Sequence, residues 1–209
     1  MSPNETVSFS CPDYPVLVLI SGPSAVGKDT IARGVIARRP DEFFFVVTAT
    51  TREPRNGEID GYDYNFVSHD EFARMIDDNE LLEYAVVYRD YKGVPKQQII
   101  DALASGKNVI MRVDVQGAAT VREIIPDVIT VFLTPPSEEE LVRRLTARKS
   151  ESDQGIKLRL ATARDEMKHL PDFDYCVVNV RDDQDGAIDK ILSIVDAARC
   201  RVHQKPIIF

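Results

Sequence analysis

Val16-Leu-Val-Leu-Ile-Ser-Gly-Pro-Ser-Ala-Val-Gly-Lys-Asp-Thr30 runs from an apolar strand through a glycine-bounded loop toward a helix. Gly22 and Gly27 stand five apart and Lys28 follows directly. That is the spacing of a P-loop, in which successive backbone N–H groups curl round a phosphate at a helix N-terminus. Gly22, Pro23, Ser24, Ala25, Val26, Gly27, Lys28, Asp29 and Thr30 are therefore the candidate phosphate-cradle residues. Lys28 is placed to reach the outer phosphates of a nucleoside triphosphate, and the next position normally gives a Ser or Thr hydroxyl to magnesium. Here that position is Asp29, and Thr30 would point about 100° away round a helix, a poor substitute. The alternative is a tight strand-to-helix turn with a stray lysine, but the sequence on both sides favours the cradle. Ala25 in the loop is tolerable only with φ below zero.

Outward from the cradle, Ile31, Val35 and Ile36 recur at helical spacing until Pro40. Phe43 to Val47 reads as a buried strand, and 48–57 as a turn built on Pro54 and Asn56-Gly57. Gly61 to Val67 alternates aromatic and polar residues as a strand does, and Ser68 with Glu71 forms a capping box for a helix over about 69–77. Leu81 to Tyr88 reads as a strand, Tyr91 to Pro95 as a turn, and Lys96 to Ala104 as a helix stopped by Gly106. Asn108 to Asp114 and Val128 to Leu133 are two more buried strands, and Asp114 belongs at the carboxyl edge where ligands bind. Ser137 and Glu140 form a second capping box, opening a helix to about Arg148, in which Glu138-Glu-Glu140 reads as a solvated first turn. A cation-rich helix over 156–170, a short strand over 175–178 and a terminal helix from 186 to about 203 complete the chain.

Strands alternating with helices predict an α/β fold: a parallel sheet with helices on both faces and right-handed crossovers. The expected organisation is a mobile lead-in over 1–14 and one domain over 15–209. Its core takes in 15–51 and 96–209, with an inserted strand-rich lobe over 52–95 and a helical lid over about 137–165. No internal repeat is present.

The chain has 209 residues, 44% of them hydrophobic and 29% charged, ordinary values for one globular domain. A net charge of −8 argues against a nucleic-acid partner, so an anionic ligand must be met by a local cluster of cations. No apolar run is long enough to span a membrane. Cys11, Cys176 and Cys200 are odd in number and far apart, as in the reduced thiols of a cytosol-like compartment.

Four motifs in order resemble the guanylate kinase family over about residues 15–205. They are Ser21-Gly-Pro-Ser-Ala-Val-Gly-Lys28, then Thr50-Thr-Arg-Glu-Pro-Arg-Asn-Gly-Glu58 with Gly61-Tyr-Asp-Tyr-Asn-Phe-Val67, then Val113-Asp-Val-Gln-Gly117, and Pro135-Pro136-Ser137 ahead of the lid arginines. Gly-Lys-Asp, Tyr91-Lys-Gly-Val-Pro95 and Met111-Arg-Val-Asp-Val-Gln116 are most similar to its plant-organelle branch. The resemblance implies a P-loop nucleoside-monophosphate-kinase-like fold with a GMP-binding lobe. It also implies transfer of the γ-phosphoryl group of ATP, with magnesium, to GMP (and dGMP), giving ADP and GDP. ATP and GMP are then the partners, without nucleic acid or membrane, for a monomer or homodimer in the cytoplasm, or in a plastid or mitochondrion for a processed form.

Arg52 and Arg55 share one turn, and two guanidinium forks with the Tyr64 hydroxyl suit a phosphate monoester, although solvated loop cations are the alternative. Glu83, in a mostly apolar strand, needs a partner if buried; a guanine edge offers N1–H and an exocyclic amine, an adenine edge does not. Exposure on a polar strand face is its alternative. The family match adds Thr48 and Asp114 to substrate recognition. It assigns catalytic roles to Lys28, Arg144, Arg148 and Arg159, which in an unrelated helix would be surface charges. Two non-catalytic or different readings remain open: a guanylate-kinase-like module that binds phosphopeptides, and a ribose 1,5-bisphosphate kinase.

Departures from the family stand at Lys92 and Val94, where a Tyr and a Ser usually contact GMP, and at Asp29 and Arg112, usually Ser or Thr and Asp. The last two amount to a charge swap. Asp29 is expected to pair with Arg112 while holding magnesium through a hard carboxylate oxygen. The alternative has Arg112 on the other sheet face and Asp29 merely capping the helix.

Overall fold

The computed structural model describes residues 13–87, 89–146 and 153–209. Residues 1–12 of the expected lead-in, Tyr88, and Arg148 with its part of the lid lie outside them. Asp13 and Tyr14, which close that lead-in, are tied to the C-terminal end: Arg199 Nε donates to Asp13 at 2.8 Å, and the Tyr14 N–H to Gln204 at 3.1 Å.

The central sheet is parallel, with β1 (Leu17–Ser21) in the middle. On one side it pairs with β7 (Asn108–Arg112) and then β2 (Phe43–Phe45), on the other with β8 (Ile129–Thr134) and then β9 (Tyr175–Val178). Alternation along β1 divides the core in two. Val18 and Ile20 pack with Ile31 and Val35 of α1 (Lys28–Arg38) and Ile188, Ile191 and Val195 of α7 (Gln184–Arg199). Leu17 and Leu19 face Ile99 of α3 (Lys96–Ala104) and Val121 of α4 (Val115–Ile124). Every residue of β1 is buried, so each of its large apolar side chains contributes about 1.5–3 kcal/mol by leaving water.

A second, four-stranded sheet sits on the chain between β2 and α3, in the order β4 (Asn65–Phe66), β3 (Ala49–Thr50), β6 (Asp90–Pro95), β5 (Leu81–Val87). It carries α2 (His69–Asp77), whose Ser68 cap accepts from the Glu71 N–H at 3.1 Å as the capping box predicts. Two expectations change here. The predicted turn at Tyr91 to Pro95 is strand β6, because pairing with both β3 and β5 overrides the turn preference of Gly93 and places Pro95 at the strand end. The predicted strand over 61–67 shrinks to two residues, because Asp63 accepts from the Ile59 N–H and Asp60 from the Phe66 N–H, winding 59–64 into a turn.

The stretch expected to form a lid holds α5 (Glu138–Thr146) and α6 (Asp153–Met167), followed by a 3-10 turn at Leu170–Asp172. Helix α4 has no counterpart in the sequence reading, although Val115, Ala118 and Val121 carry its buried face.

Candidate active site

Because β1 is parallel and central, its carboxyl end opens onto the N-terminus of α1, the place where an α/β sheet receives ligands. Gly22 has φ +131°, and a Cβ there would stand 2.1 Å from the Leu133 carbonyl oxygen, so no other residue fits against β8. Gly27 caps α1 in a left-handed conformation with φ 96°. Ala25 adopts φ +65°, contrary to the expectation that it stays negative; left-handed backbone costs a residue with a Cβ roughly 1–2 kcal/mol. That strain sits in the loop expected to cradle a phosphate. Val26 is fully buried, and its carbonyl accepts from Arg144 and from Asn179 Nδ2 at 2.8 Å.

Lys28 is folded back on the loop, donating to the carbonyls of Gly22 at 2.5 Å and Pro23 at 3.1 Å. Burial lowers its pKa to about 8, against the attraction of Glu166. Glu166, on α6, puts its carboxylate in the cradle itself, accepting from the Ser24 N–H at 3.2 Å. A carboxylate thus occupies a donor of the kind that takes a phosphate oxygen. Thr30 is exposed on the first turn of α1.

Asp29 forms an ion pair with Arg112, at the end of neighbouring β7. Arg112 is 7% exposed and does more than neutralise Asp29: its Nη2 donates to the Asp63 carbonyl at 2.6 Å, and its guanidinium lies 4.4 Å from the Tyr64 ring centroid. Arg33 of α1 adds an ion pair to Asp63 at 2.9 Å. Two core arginines thereby clamp the turn that carries Tyr64.

A cavity of about 140 Å³ joins the two halves of the site, lined by Ser24 and Lys28 of the cradle, Glu166, and Thr48, Tyr64, Lys92, Arg112, Val113 and Asp114. Asp114 caps α4, accepting from the N–H groups of Gln116 and Gly117 at 3.0 and 2.8 Å. Glu83 is buried, not exposed on a polar face: it is 7% accessible and faces Gly117, where a Cβ would come within 2.7 Å of its carboxylate. Burial, then the nearby Asp114 carboxylate, push its pKa up to about 8. An acidic pair of this kind is costly without a ligand to share.

The expected arginines are not all gathered at the cavity. Arg52 bonds Glu58 at 2.9 Å with its guanidinium 5.3 Å from the Tyr64 ring centroid, whereas Arg55 is exposed. Arg159 is buried and donates to Ser24 Oγ at 2.6 Å. Arg144 is built into the cradle's support, donating to Glu140, to the Val26 carbonyl at 3.0 Å and to the Asn179 carbonyl at 2.9 Å. Glu140 is consequently not part of a solvated first turn: it is 5% exposed, and Arg144 and Arg143 hold its carboxyl below the usual range.

A family profile described as Guanylate kinase matches residues 14–198. The chain belongs to the guanylate kinase family. It is 49% identical over 197 residues to "Guanylate kinase 2, chloroplastic/mitochondrial" of Oryza sativa subsp. japonica, covering 94% of this chain and 69% of the rice protein. A guanylate kinase of Clostridium tetani is 42% identical over 187 residues, covering 90% of this chain and 88% of its own. Among solved structures, guanylate kinase from Anaplasma phagocytophilum superposes with a TM-score of 0.75 at 30% identity, over 91% of this chain and 89% of the other. The resemblance to the plant-organelle branch agrees with the rice match.

Within this guanylate kinase fold, sequence reasoning missed Glu166 and Asn179. Asn179 follows directly after β9, at a strand's carboxyl end, and the rule that singles out Asp114 applies to it equally. Glu166 carries no such signal, since only packing of α6 on the loop brings it to Ser24.

Proposed function

We propose that the protein transfers the γ-phosphoryl group of ATP to GMP, and to dGMP, releasing ADP and GDP. The observation that carries this reading is the single cavity in which Lys28 and Ser24 of a phosphate cradle face Thr48, Tyr64 and Asp114. A phosphate oxygen of GMP attacks the γ-phosphorus, one P–O bond forms, and the bond to the β-phosphate oxygen breaks as ADP leaves. A phosphate dianion is already an adequate nucleophile, so no general base is required, and catalysis rests on positioning and charge neutralisation.

The backbone N–H groups of 22–28 would bind the triphosphate, with Lys28 leaving its loop carbonyls for the phosphates. Glu83, with Thr48 and Asp114, would read guanine, the carboxylate accepting from N1–H and the exocyclic amine. Arg52, Arg55 and Tyr64 would hold the acceptor phosphate. Arg159, Arg148 and Arg144 would meet charge on the migrating group, Arg144 also holding the Val26 carbonyl that shapes the loop.

Among the described residues no group of three or more His, Cys, Asp or Glu side chains forms a metal cage. That suits magnesium, which keeps several waters and arrives on substrate phosphates, with one or two carboxylates from the protein. Asp29, half-exposed beside the cradle, is the ligand assigned here. Bound magnesium would supply charge neutralisation at the phosphates.

A phosphopeptide-binding module would have no use for the cradle, and a ribose bisphosphate kinase none for a buried Glu83 beside Asp114. No helix among the described residues is long and apolar enough to cross a membrane. The enzyme is read as a monomer or homodimer of the cytoplasm or of an organelle. Incubation with γ-phosphate-labelled ATP and GMP tests the reaction: label must appear in GDP, and label recovered only as inorganic phosphate would refute it.

A further inference from the structure

Asp29 and Arg33 stand four apart on α1, so both side chains lie on one face of the helix that starts at Lys28. Asp29 takes Arg112, and Arg33 takes Asp63: its Nη2 donates to the Asp63 carboxylate and to the Tyr62 carbonyl, both at 2.9 Å. Arg112 returns to the same turn, donating to the Asp63 carbonyl at 2.6 Å. Asp29, Arg112, Asp63 and Arg33 thus close a circuit between one helix face and the turn that carries Tyr64. The guanidinium groups of Arg33 and Arg112 lie 5.5 and 5.2 Å from the Phe45 ring centroid, and that of Arg33 also 3.9 Å from the Tyr62 ring centroid.

The turn is also braced within itself. The Gly61 N–H donates to the Tyr64 carbonyl at 2.8 Å, the Asp63 N–H to the Ile59 carbonyl at 2.9 Å, and the Ile59 N–H to the Asp63 carboxylate at 2.8 Å. Residues 59–64 therefore form one piece, and Asp63 is where that piece is held to α1. The side chains of the Arg33–Asp63 pair are 25% and 27% exposed, and ion pairs open to water add little to global stability. What the contact fixes is a place. A planar guanidinium on the carbonyl and ring of Tyr62 and on the carboxylate of Asp63 constrains orientation as well as distance, at the two residues directly before Tyr64.

We infer that Arg33 is a positioning residue for the acceptor: through Asp63 it sets where the Tyr64 hydroxyl meets the acceptor's 5′-phosphate, and it sets that place relative to Lys28 on its own helix. Arg33 itself touches neither substrate. The inference rests on the reading of this cavity as the GMP pocket. A misplacement of about 1 Å between reacting groups is costly in rate, and one rigid helix carrying both Lys28 and Arg33 limits it.

The test measures binding of GMP and of guanosine, which lacks the phosphate, by calorimetry or competitive inhibition, in the parent, Arg33→Gln and Arg33→Lys, each also made in a Tyr64→Phe background. Arg33→Gln should weaken GMP about threefold or more while guanosine binding is unchanged, a ratio that a general loss of folded protein would not move. Arg33→Lys, which keeps the charge for Asp63, should recover part of the loss. With the hydroxyl already gone in Tyr64→Phe, Arg33→Gln should cost GMP clearly less than it does in the parent. A GMP-to-guanosine affinity ratio unchanged by Arg33→Gln, or a loss of the same size in the Tyr64→Phe background, overturns the inference. A parent that binds AMP as well as GMP would instead sink the reading of the pocket, independently of Arg33.

Discussion

Asp29, in the first turn of α1, is paired with Arg112 at the carboxyl end of β7, so an acid beside the cradle is matched by a base on the neighbouring strand. Arg112 also holds the Asp63 carbonyl and lies over Tyr64. One guanidinium thereby links the first turn of α1, after the glycine-bounded loop, to the turn that carries Tyr64. Its pKa is lowered to about 10 by burial, which leaves it charged at neutral pH.

The single changes Asp29→Ser and Arg112→Asp should each lower kcat, the first by stranding a buried guanidinium, the second by setting two acids face to face. The double change should recover part of the loss, with a coupling of about 1 kcal/mol or more. Strictly additive losses in a double-mutant cycle would show that the two are not a compensating pair.

Glu83 gives a pH signature. The unfolded chain loses this proton near 4.5 and the folded, ligand-free chain near 8, so between those values the folded state holds the extra proton. Stability from this group is complete below about 4.5 and is lost as pH rises to about 8. Glu83→Gln should remove that loss, so its Tm should gain on the parent's as ligand-free samples are taken from pH 5 to 8.5. The same change should cost kcat/KM for GMP about tenfold or more, because an amide cannot accept from both guanine donors. Equal pH slopes of Tm in parent and variant would contradict the assignment.

Lys28 gives a second pH signature, in activity rather than stability. The cradle needs the ammonium, and burial brings its pKa to about 8, so kcat/KM for ATP should fall as pH rises above about 8, while bound phosphates shift the corresponding limb in kcat upward. Lys28→Ala should nearly abolish turnover yet leave weak ATP binding to the backbone donors, whereas Arg52→Ala and Arg55→Ala should act mainly on GMP. Steady-state kinetics with each substrate varied in turn separates these cases, and robust turnover by Lys28→Ala would remove the cradle from the mechanism.

The cradle, the parallel sheet and the Asp29–Arg112 pair are legible in the sequence because each rests on local spacing or on a charge exchange within known motifs. Strand β6 is not, since Tyr91 to Pro95 carries turn residues and becomes a strand only through its partners on either side. Glu140 and Glu166 are hidden for a related reason: both sit in charged helical runs that look solvated, but Glu140 is buried with Arg143 and Arg144 of its own helix, Arg144 being docked on the Val26 carbonyl, and packing of α6 on the loop brings Glu166 to the Ser24 N–H. Ala25 shows the limit of residue preference, because the surrounding loop imposes a positive φ that alanine would not choose.

The most direct test of the account measures ADP release from ATP with magnesium against GMP, dGMP, AMP, UMP and ribose 1,5-bisphosphate at neutral pH. GMP should give the highest kcat/KM, dGMP should follow, and AMP should fall at least about tenfold below GMP, because the Glu83 carboxylate has no donor to accept from on an adenine edge. AMP or ribose 1,5-bisphosphate used as well as GMP would contradict it.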